Sequence, residues 1–253
     1  MKRAMAHTVR STVYLLSVIA AGQVMAQNLK QTVESYSVAL GATRVIYTPE
    51  SGASDVSVTN SNDYPMLVQS LVYAEDRKSA APFVVTPPLF RLDGHQTSRV
   101  RVIQTGGGMP ADKETLQWLC VTGIPPENDD AWAKNKEGSV AVPKSATLDV
   151  KIKFSRCIKL LVRPSAIKST PQDAAEGLVW QREGALLKVS NPSPYYVNLK
   201  TLSVGGKAIV QPGYLPPSGS HTYPLPAGAQ GAVQWSYITD LGGDSRTFQA
   251  LLK

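Results

Sequence analysis

Apolar and polar residues alternate along the stretch 145–164, SATLDVKIKFSRCIKLLVRP. The apolar positions of one parity are Leu148, Val150, Ile152, Phe154, Ile158, Leu160 and Val162. A period of two predicts a β-strand with one apolar face. An unbroken strand from Leu148 to Arg163 would measure roughly 50 Å at about 3.3 Å per residue, whereas ordinary strands span about 17–20 Å. We therefore expect part of this strand to extend beyond its own sheet; the alternative is two shorter strands around a bulge near Arg156.

The rest of the chain repeats the alternation on a shorter scale. Short alternating runs are separated by turn-forming stretches rich in Pro, Gly, Asn and Ser, at 47–55, 59–65, 92–96, 105–112, 189–194, 203–208 and 215–220. No long stretch carries helical periodicity. The pattern predicts an all-β chain, most simply two immunoglobulin-like β-sandwich domains in tandem.

The first 26 residues have the pattern of a secretory signal peptide. Three basic residues (Lys2, Arg3 and Arg10) accompany a short apolar run and small residues that end at Ala26. The alternative, a transmembrane anchor, needs about 20 apolar residues, more than this run provides. Cleavage after Ala26 removes those three basic residues and no acidic one, so the net charge falls from +7 to +4. We predict an exported protein without a membrane span.

A polar, proline-containing segment at 161–177 separates two series of alternating runs, the second starting at Leu178. About 227 residues after the signal peptide exceed one small sandwich. We therefore predict a signal peptide at 1–26 and domains at 27–165 and 166–253.

Composition argues against several classes of function. Basic residues are scattered among acidic ones, without the aromatic-interleaved clusters of a nucleic-acid surface. The chain lacks G-x-S-x-G, Walker and H-E-x-x-H motifs, and only His95 and His221 follow the signal peptide. We predict neither an enzyme nor a cofactor-dependent or metal-dependent protein.

Two cysteines, Cys120 and Cys157, are present. In an exported protein an even pair indicates a disulfide, here worth about 4 kcal/mol in the chain-entropy model. The alternative is a metal or redox site, for which no CxxC and no histidine near either cysteine is available.

Several segments, in order, resemble the PapD-like periplasmic chaperones of the chaperone–usher pathway of pilus assembly. The resemblance covers nearly the whole chain after residue 26 and rests on GATRVIYTPES (41–51), NDYPMLVQSLVY (62–73), TPPLFRLDGHQTSRVRVI (86–103), KETLQWLCVTGIPP (113–126), CIKLLVRPSAIK (157–168) and YITDLGGDSR (237–246). It implies a cleft between the two domains and a role in folding and capping fimbrial or capsule-like fibre subunits for delivery to an outer-membrane usher.

The resemblance also assigns roles to individual residues. Arg44 and Lys159 fall where the family anchors the C-terminal carboxylate of the bound subunit. The donor-strand stripe that fills the subunit groove falls on Leu148, Val150, Ile152 and Phe154. A buried charge network between the domains falls on Glu114, Arg163 and Asp240. Trp118 is expected in the core because its strand is apolar.

The long polar connection at 125–147 and the cysteine pair resemble the long-FG-loop (FGL) subfamily of these chaperones. By that resemblance the product is a thin or capsule-like fibre. We hypothesise that the exposed stripes of free copies cap one another by self-association. The main alternative function is a secreted immunoglobulin-like adhesin or fibre component, in which the long strand is the protein's own final strand.

Overall fold

The computed structural model describes residues 35–127, 130–134 and 152–252, and almost all of its regular elements are strands. The strands of the first half are β1 (Ser35–Tyr36), β2 (Ala39–Leu40), β3 (Arg44–Tyr47), β4 (Ser54–Thr59), β5 (Met66–Tyr73), β6 (Phe83–Thr86), β7 (Leu89–Leu92), β8 (Thr97–Gln104), β9 (Thr115–Ile124), β10 (Ile152–Lys153) and β11 (Ser155–Val162). Two 3₁₀ turns lie at Pro49–Ser51 and Ala131–Ala133.

These strands form two sheets that face each other. One has the order β3-β11-β9-β5-β7 and the other β2-β4-β8-β6, while β1 and β10 form a separate parallel pair. The core between the sheets consists of alternate residues of each strand, such as Val58, Leu119 and Leu160, which are fully buried. Period-two alternation thus places one face of each strand in a dry core and the other on the surface.

The second half repeats the architecture. It comprises helix α1 (Pro171–Glu176) and strands β12 (Val179–Glu183), β13 (Leu186–Ser190), β14 (Val197–Val204), β15 (Lys207–Ala208), β16 (Tyr214–Leu215), β17 (Ser220–Pro224), β18 (Val233–Tyr237) and β19 (Phe248–Ala250). The sheets have the orders β12-β13-β17 and β15-β14-β18-β19, and β16 also pairs with β14. Its separate core is centred on Trp180 and Trp235, whose ring centroids lie 5.1 Å apart. The all-β prediction is confirmed.

Helix α1 lies within the segment expected to be a linker. Thr170 accepts a hydrogen bond from the backbone N–H of Asp173, and the Asp173 carboxylate accepts one from the N–H of Thr170. This capping box, with Pro171 in the first turn, is a helix-start signal. The pattern of apolar residues does not reveal the helix, because six residues are too few to show helical periodicity.

Each half contains one buried asparagine that ties a turn to a neighbouring strand. The Asn60 side-chain amide donates to the carbonyls of Tyr64, Leu92 and Asp93. In the second half, the Asn191 amide donates to the carbonyls of Tyr195, Leu215 and Pro216. Each amide satisfies backbone acceptors that burial would otherwise leave unpaired, which fixes the turn at the same place in both sandwiches.

The long strand differs from its prediction. Within the described residues it is interrupted at Phe154, between β10 and β11, so that only Ser155–Val162 runs unbroken. Leu148 and Val150 lie outside the described residues. In the part of the chain that the structure covers, no helix is long and apolar enough to cross a bilayer.

Candidate functional site

Three neighbouring strands place Arg44, Lys159 and Trp118 in one row across the first domain's outer face, the side of its five-stranded sheet away from its own core. Lys159 of β11 is in register with Arg44 of β3 on one side and with Trp118 of β9 on the other. Side chains of residues in register point to the same face of a sheet, about 5 Å apart at Cβ. The row looks toward the second domain, and the surface between the two domains is the interdomain cleft.

Arg44 forms one end of the row and is 8% exposed. Its Nη1 donates to the carbonyl of Ile238 in the second domain at 3.0 Å. Its Nε is buried and has no acceptor among the described residues. Burial lowers the pKa of Arg44, and the negative charge of Asp240 partly opposes this effect. One donor of this buried guanidinium therefore has no acceptor in the part of the chain that the structure describes.

Lys159 lies in the middle of the row and also reaches the second domain. Its Nζ donates to Oδ1 of Asn198 and lies 4.6 Å from the ring centroid of Tyr214. Burial, and then the positive charges of Arg44 and Arg77, lower the pKa of Lys159 to about 8. The ammonium faces a neutral amide and an aromatic ring, with no carboxylate bonded to it among the described residues.

The second domain approaches this row through the hairpin that follows β18. Gly242 at its tip has a φ of +85°, and a Cβ there would lie 2.3 Å from Oγ1 of Thr43. Only glycine allows this close approach, which brings the hairpin against the residue next to Arg44.

Glu114, Arg163 and Asp240 form the interdomain network that the resemblance implied. Arg163 Nε donates to Glu114 Oε1 at 2.6 Å, and its two Nη atoms donate to the Asp240 carboxylate at 2.6 and 2.8 Å. Glu114 also accepts from the backbone N–H of Tyr196 at 2.8 Å. Burial raises the pKa of Glu114, while Arg163 and the Tyr196 N–H oppose that rise. A buried network of this kind is weak evidence for stability, but here it bonds the first domain to Asp240 and Tyr196 of the second.

Cys120 and Cys157 are joined by a disulfide between directly opposed residues of β9 and β11. The bond lies on the same face as Lys159 and Trp118, one row further along the strands. It ties the two strands that flank the connection at 125–147, of which residues 128–129 and 135–147 lie outside the described residues.

Ile152 and Phe154 are the last two residues of the stripe before β11. Phe154 is 42% exposed. The backbone of Ile152 belongs to β10 and lies in register with Ser35 of the parallel strand β1. Phe154 is therefore exposed at the point where the chain leaves the sheet to which β11 belongs, and the backbone of Ile152 pairs outside that sheet.

Some residues of the cleft have no signal in the sequence pattern. Trp118 is buried, as expected, but between the two domains and not in the sandwich core. Asn198 has the appearance of an ordinary strand residue, although it receives the Lys159 ammonium. Glu75 and Arg77 lie on the turn after β5 and also reach the cleft: Arg77 packs on the Trp118 ring, and Glu75 accepts from the Tyr196 hydroxyl. Strand parity could have placed Trp118 on the same face as Lys159, but only tertiary packing reveals the contacts of Asn198, Glu75 and Arg77.

The cleft is suited to binding a carboxylate. Its cations have unused donors, and a carboxylate in a partly desolvated site forms charge-assisted hydrogen bonds about twice as strong as neutral ones. Arginine can also hold a carboxylate through two parallel hydrogen bonds.

Comparison with known proteins agrees with this architecture. Residues 37–168 match the family described as "Pili and flagellar-assembly chaperone, PapD N-terminal domain", and residues 173–249 match "Pili assembly chaperone PapD, C-terminal domain". The chain is 52% identical to chaperone protein AfaB of Escherichia coli over 207 residues, covering 82% of this chain and 83% of the relative. It is 44% identical to chaperone protein caf1M of Yersinia pestis over 228 residues, covering 87% and 88%.

Solved structures give the same result. The E. coli chaperone DraB is 52% identical with a TM-score of 0.75, covering 86% of this chain and 97% of that one. The SafB chaperone, solved in complex with the Salmonella enterica SafA pilin, is 45% identical with a TM-score of 0.77, covering 87% and 99%. These relatives are chaperones, not enzymes or secreted fibre components, and they match across both domains. The chain belongs to the PapD family of pili assembly chaperones.

Proposed function

We propose that this chaperone acts in the periplasm, where it captures fibre subunits by donor-strand complementation and delivers them to an outer-membrane usher. Arg44 and Lys159 bind the C-terminal carboxylate of the subunit. The stripe of Leu148, Val150, Ile152 and Phe154 fills the groove left by the subunit's missing strand. The pilin bound to the related SafB chaperone supports a client of this class.

The observation that carries the proposal is the row of cations in the interdomain cleft. Among the described residues, Arg44 has a buried donor without an acceptor, and the one hydrogen-bond partner of the Lys159 ammonium is the neutral Asn198 amide. An unpaired charge in a partly buried site is unfavourable, so binding of an anion to these groups lowers the free energy. A C-terminal carboxylate is a suitable anion because it can accept charge-assisted hydrogen bonds from both cations.

Anchoring the terminus also sets the register of the client. Phe154 lies five residues before Lys159 in the sequence, and the stripe has a period of two. A shift by one residue would turn every stripe side chain away from the client's groove. Fixing the carboxylate at Lys159 therefore determines which stripe residue enters which pocket of the client.

The FGL assignment is part of the proposal. Support comes from the disulfide between β9 and β11 and from the length of the connection at 125–147. Under this assignment the client assembles into thin or capsule-like fibres.

The test is co-purification of clients from the periplasm of cells that co-express the neighbouring secreted proteins. The wild type is compared with Lys159→Ala and Arg44→Ala, and with Lys188→Ala, which removes a partly exposed lysine of β13 that pairs with Glu183 outside the cleft. Circular dichroism and thermal melting confirm that each variant is folded. We expect the wild type and Lys188→Ala to retain a small β-rich client that both cleft variants lose.

A client retained equally by folded Arg44→Ala and Lys159→Ala would refute the anchor. Separately, Ile152→Asp is expected to abolish capture because it places a charge in an apolar groove. Unchanged capture by that variant would refute the assignment of the stripe.

A further inference from the structure

The turn after β5, residues 74–79, borders the interdomain cleft, in addition to the outer face of the first domain's sheet and the second domain. Its ends are closed by a hydrogen bond from the Ala74 N–H to the Ser79 carbonyl at 2.8 Å. Asp76 accepts from the backbone N–H groups of Lys78 and Ser79 at 2.8 and 2.9 Å. These bonds hold the turn in one conformation and present the neighbouring side chains in fixed directions.

Arg77 projects from this turn onto the row that contains Lys159. Its guanidinium carbon lies 3.7 Å from the ring centroid of Trp118, and the Lys159 ammonium lies 5.9 Å from the same centroid. Within the described ranges the Arg77 side chain has no hydrogen bond or ion pair with the protein, so its contact with the indole leaves all of its N–H donors available. Stacking on an aromatic ring orients a guanidinium without using its donors.

Glu75 ties this turn to the second domain. Its carboxylate accepts from the hydroxyls of Tyr196 and Tyr214 at 3.1 and 3.4 Å, and its backbone carbonyl accepts from Trp118 Nε1 at 3.2 Å. Tyr214 is also the ring over which Lys159 lies. The position of Arg77 relative to Lys159 is therefore fixed from both domains.

A count of charges shows what Arg77 contributes. Among the described residues, the cations that line the cleft and its network are Arg44, Arg77, Lys159 and Arg163, and the anions bonded within it are Glu75, Glu114 and Asp240. The balance is one positive charge, which a single terminal carboxylate neutralises. Without Arg77 the balance is zero, because Glu75 would cancel one of the anchor charges.

We infer that Arg77 is a specificity-determining residue that binds the client's C-terminal carboxylate together with Lys159 and offsets the negative charge of Glu75. This inference rests on the proposed carboxylate anchor and adds a residue to it. Arg77 selects a free chain terminus over a neutral one.

The test uses N-acetyl-alanyl-alanine and its C-terminal amide as probes, titrated into the full protein and followed by NMR at the Trp118 indole N–H. We compare the wild type with Arg77→Gln, which removes the charge but keeps a planar group able to stack. Lys78→Gln, which removes a charge from the next residue of the same turn, is the matched control. Arg77→Gln is expected to weaken binding of the acid about two- to fivefold, the range typical of partly exposed charge pairs. Lys78→Gln is expected to bind as the wild type does.

Two further readouts separate a direct role from a structural one. Glu75→Gln keeps an acceptor for the tyrosine hydroxyls and removes the negative charge, so it is expected to tighten binding of the acid. Arg77→Gln is also expected to raise the pKa of Lys159, because Arg77 is one of the charges that lower it. Arg77→Lys is expected to restore part of the affinity.

The outcomes are distinct. Acid binding by Arg77→Gln equal to the wild type, or equal weakening for acid and amide, would overturn the role of Arg77 while the anchor remains. No preference for acid over amide in the wild type, and no effect of Lys159→Ala, would overturn the anchor and the role of Arg77 together.

Discussion

Raising the pH from 7 to 9 should weaken client capture, because Lys159 then loses the charge that binds the carboxylate. Burial and the neighbouring cations Arg44 and Arg77 lower the pKa of Lys159 to about 8 in the free protein. A bound carboxylate favours the charged ammonium and raises this pKa again, so binding is linked to proton uptake. Capture is therefore strongest below pH 8 and weakens as the pH rises above that value.

The size of the effect follows from the titration of Lys159. With a pKa of about 8, about nine-tenths of the free protein carries the charged lysine at pH 7 and about one-tenth at pH 9. If only the charged form binds the carboxylate, affinity falls about tenfold, equivalent to about 1.4 kcal/mol. The client terminus has lost its own proton throughout this range and adds no dependence.

The assay is the NMR titration with N-acetyl-alanyl-alanine, repeated at pH 7, 8 and 9, with ¹³C-labelled lysine reporting the pKa of Lys159 directly. Lys159→Arg is the control, since an arginine stays charged over the whole range and should give a flat profile. An affinity of the wild type that is constant from pH 7 to 9 would refute the reasoning, as would an equal decline in Lys159→Arg.

Two predictions concern stability and are measured by urea unfolding. Arg163→Ala leaves Glu114 buried without its main partner, so we expect the free energy of unfolding to fall by about 3–5 kcal/mol. Arg91→Ala, which breaks an exposed ion pair, is the control and should lower it by at most about 1 kcal/mol. Equal losses in the two variants would contradict this view of the network. Replacing Cys120 and Cys157 together by serine opens a loop with a sequence separation of 37, and the chain-entropy model predicts a loss of about 4 kcal/mol. An unchanged urea midpoint would show that the disulfide does not restrict the unfolded chain.

Much of the fold follows from the sequence by itself. Alternation with a period of two determines which face of each strand is apolar, and water drives that face into a core. The same parity separates Ile158 and Leu160, which are buried in the first sandwich, from Lys159 on the opposite face. The short helix at 171–176 escaped this kind of analysis because its signal is a capping box and not a periodic stripe.

The make-up of the cleft was decided by tertiary structure. Arg44 and Lys159 are 115 residues apart in the sequence, yet a parallel pairing of β3 with β11 makes them neighbours. Arg77 and Glu75 reach the site from a turn whose composition indicates only a turn, and Asn198 from the second domain. The local pattern determines which side chains lie outside the core, because burial depends on the periodicity of each strand. Which of those side chains meet depends on strand pairing and domain contact, and neither is encoded within any single segment.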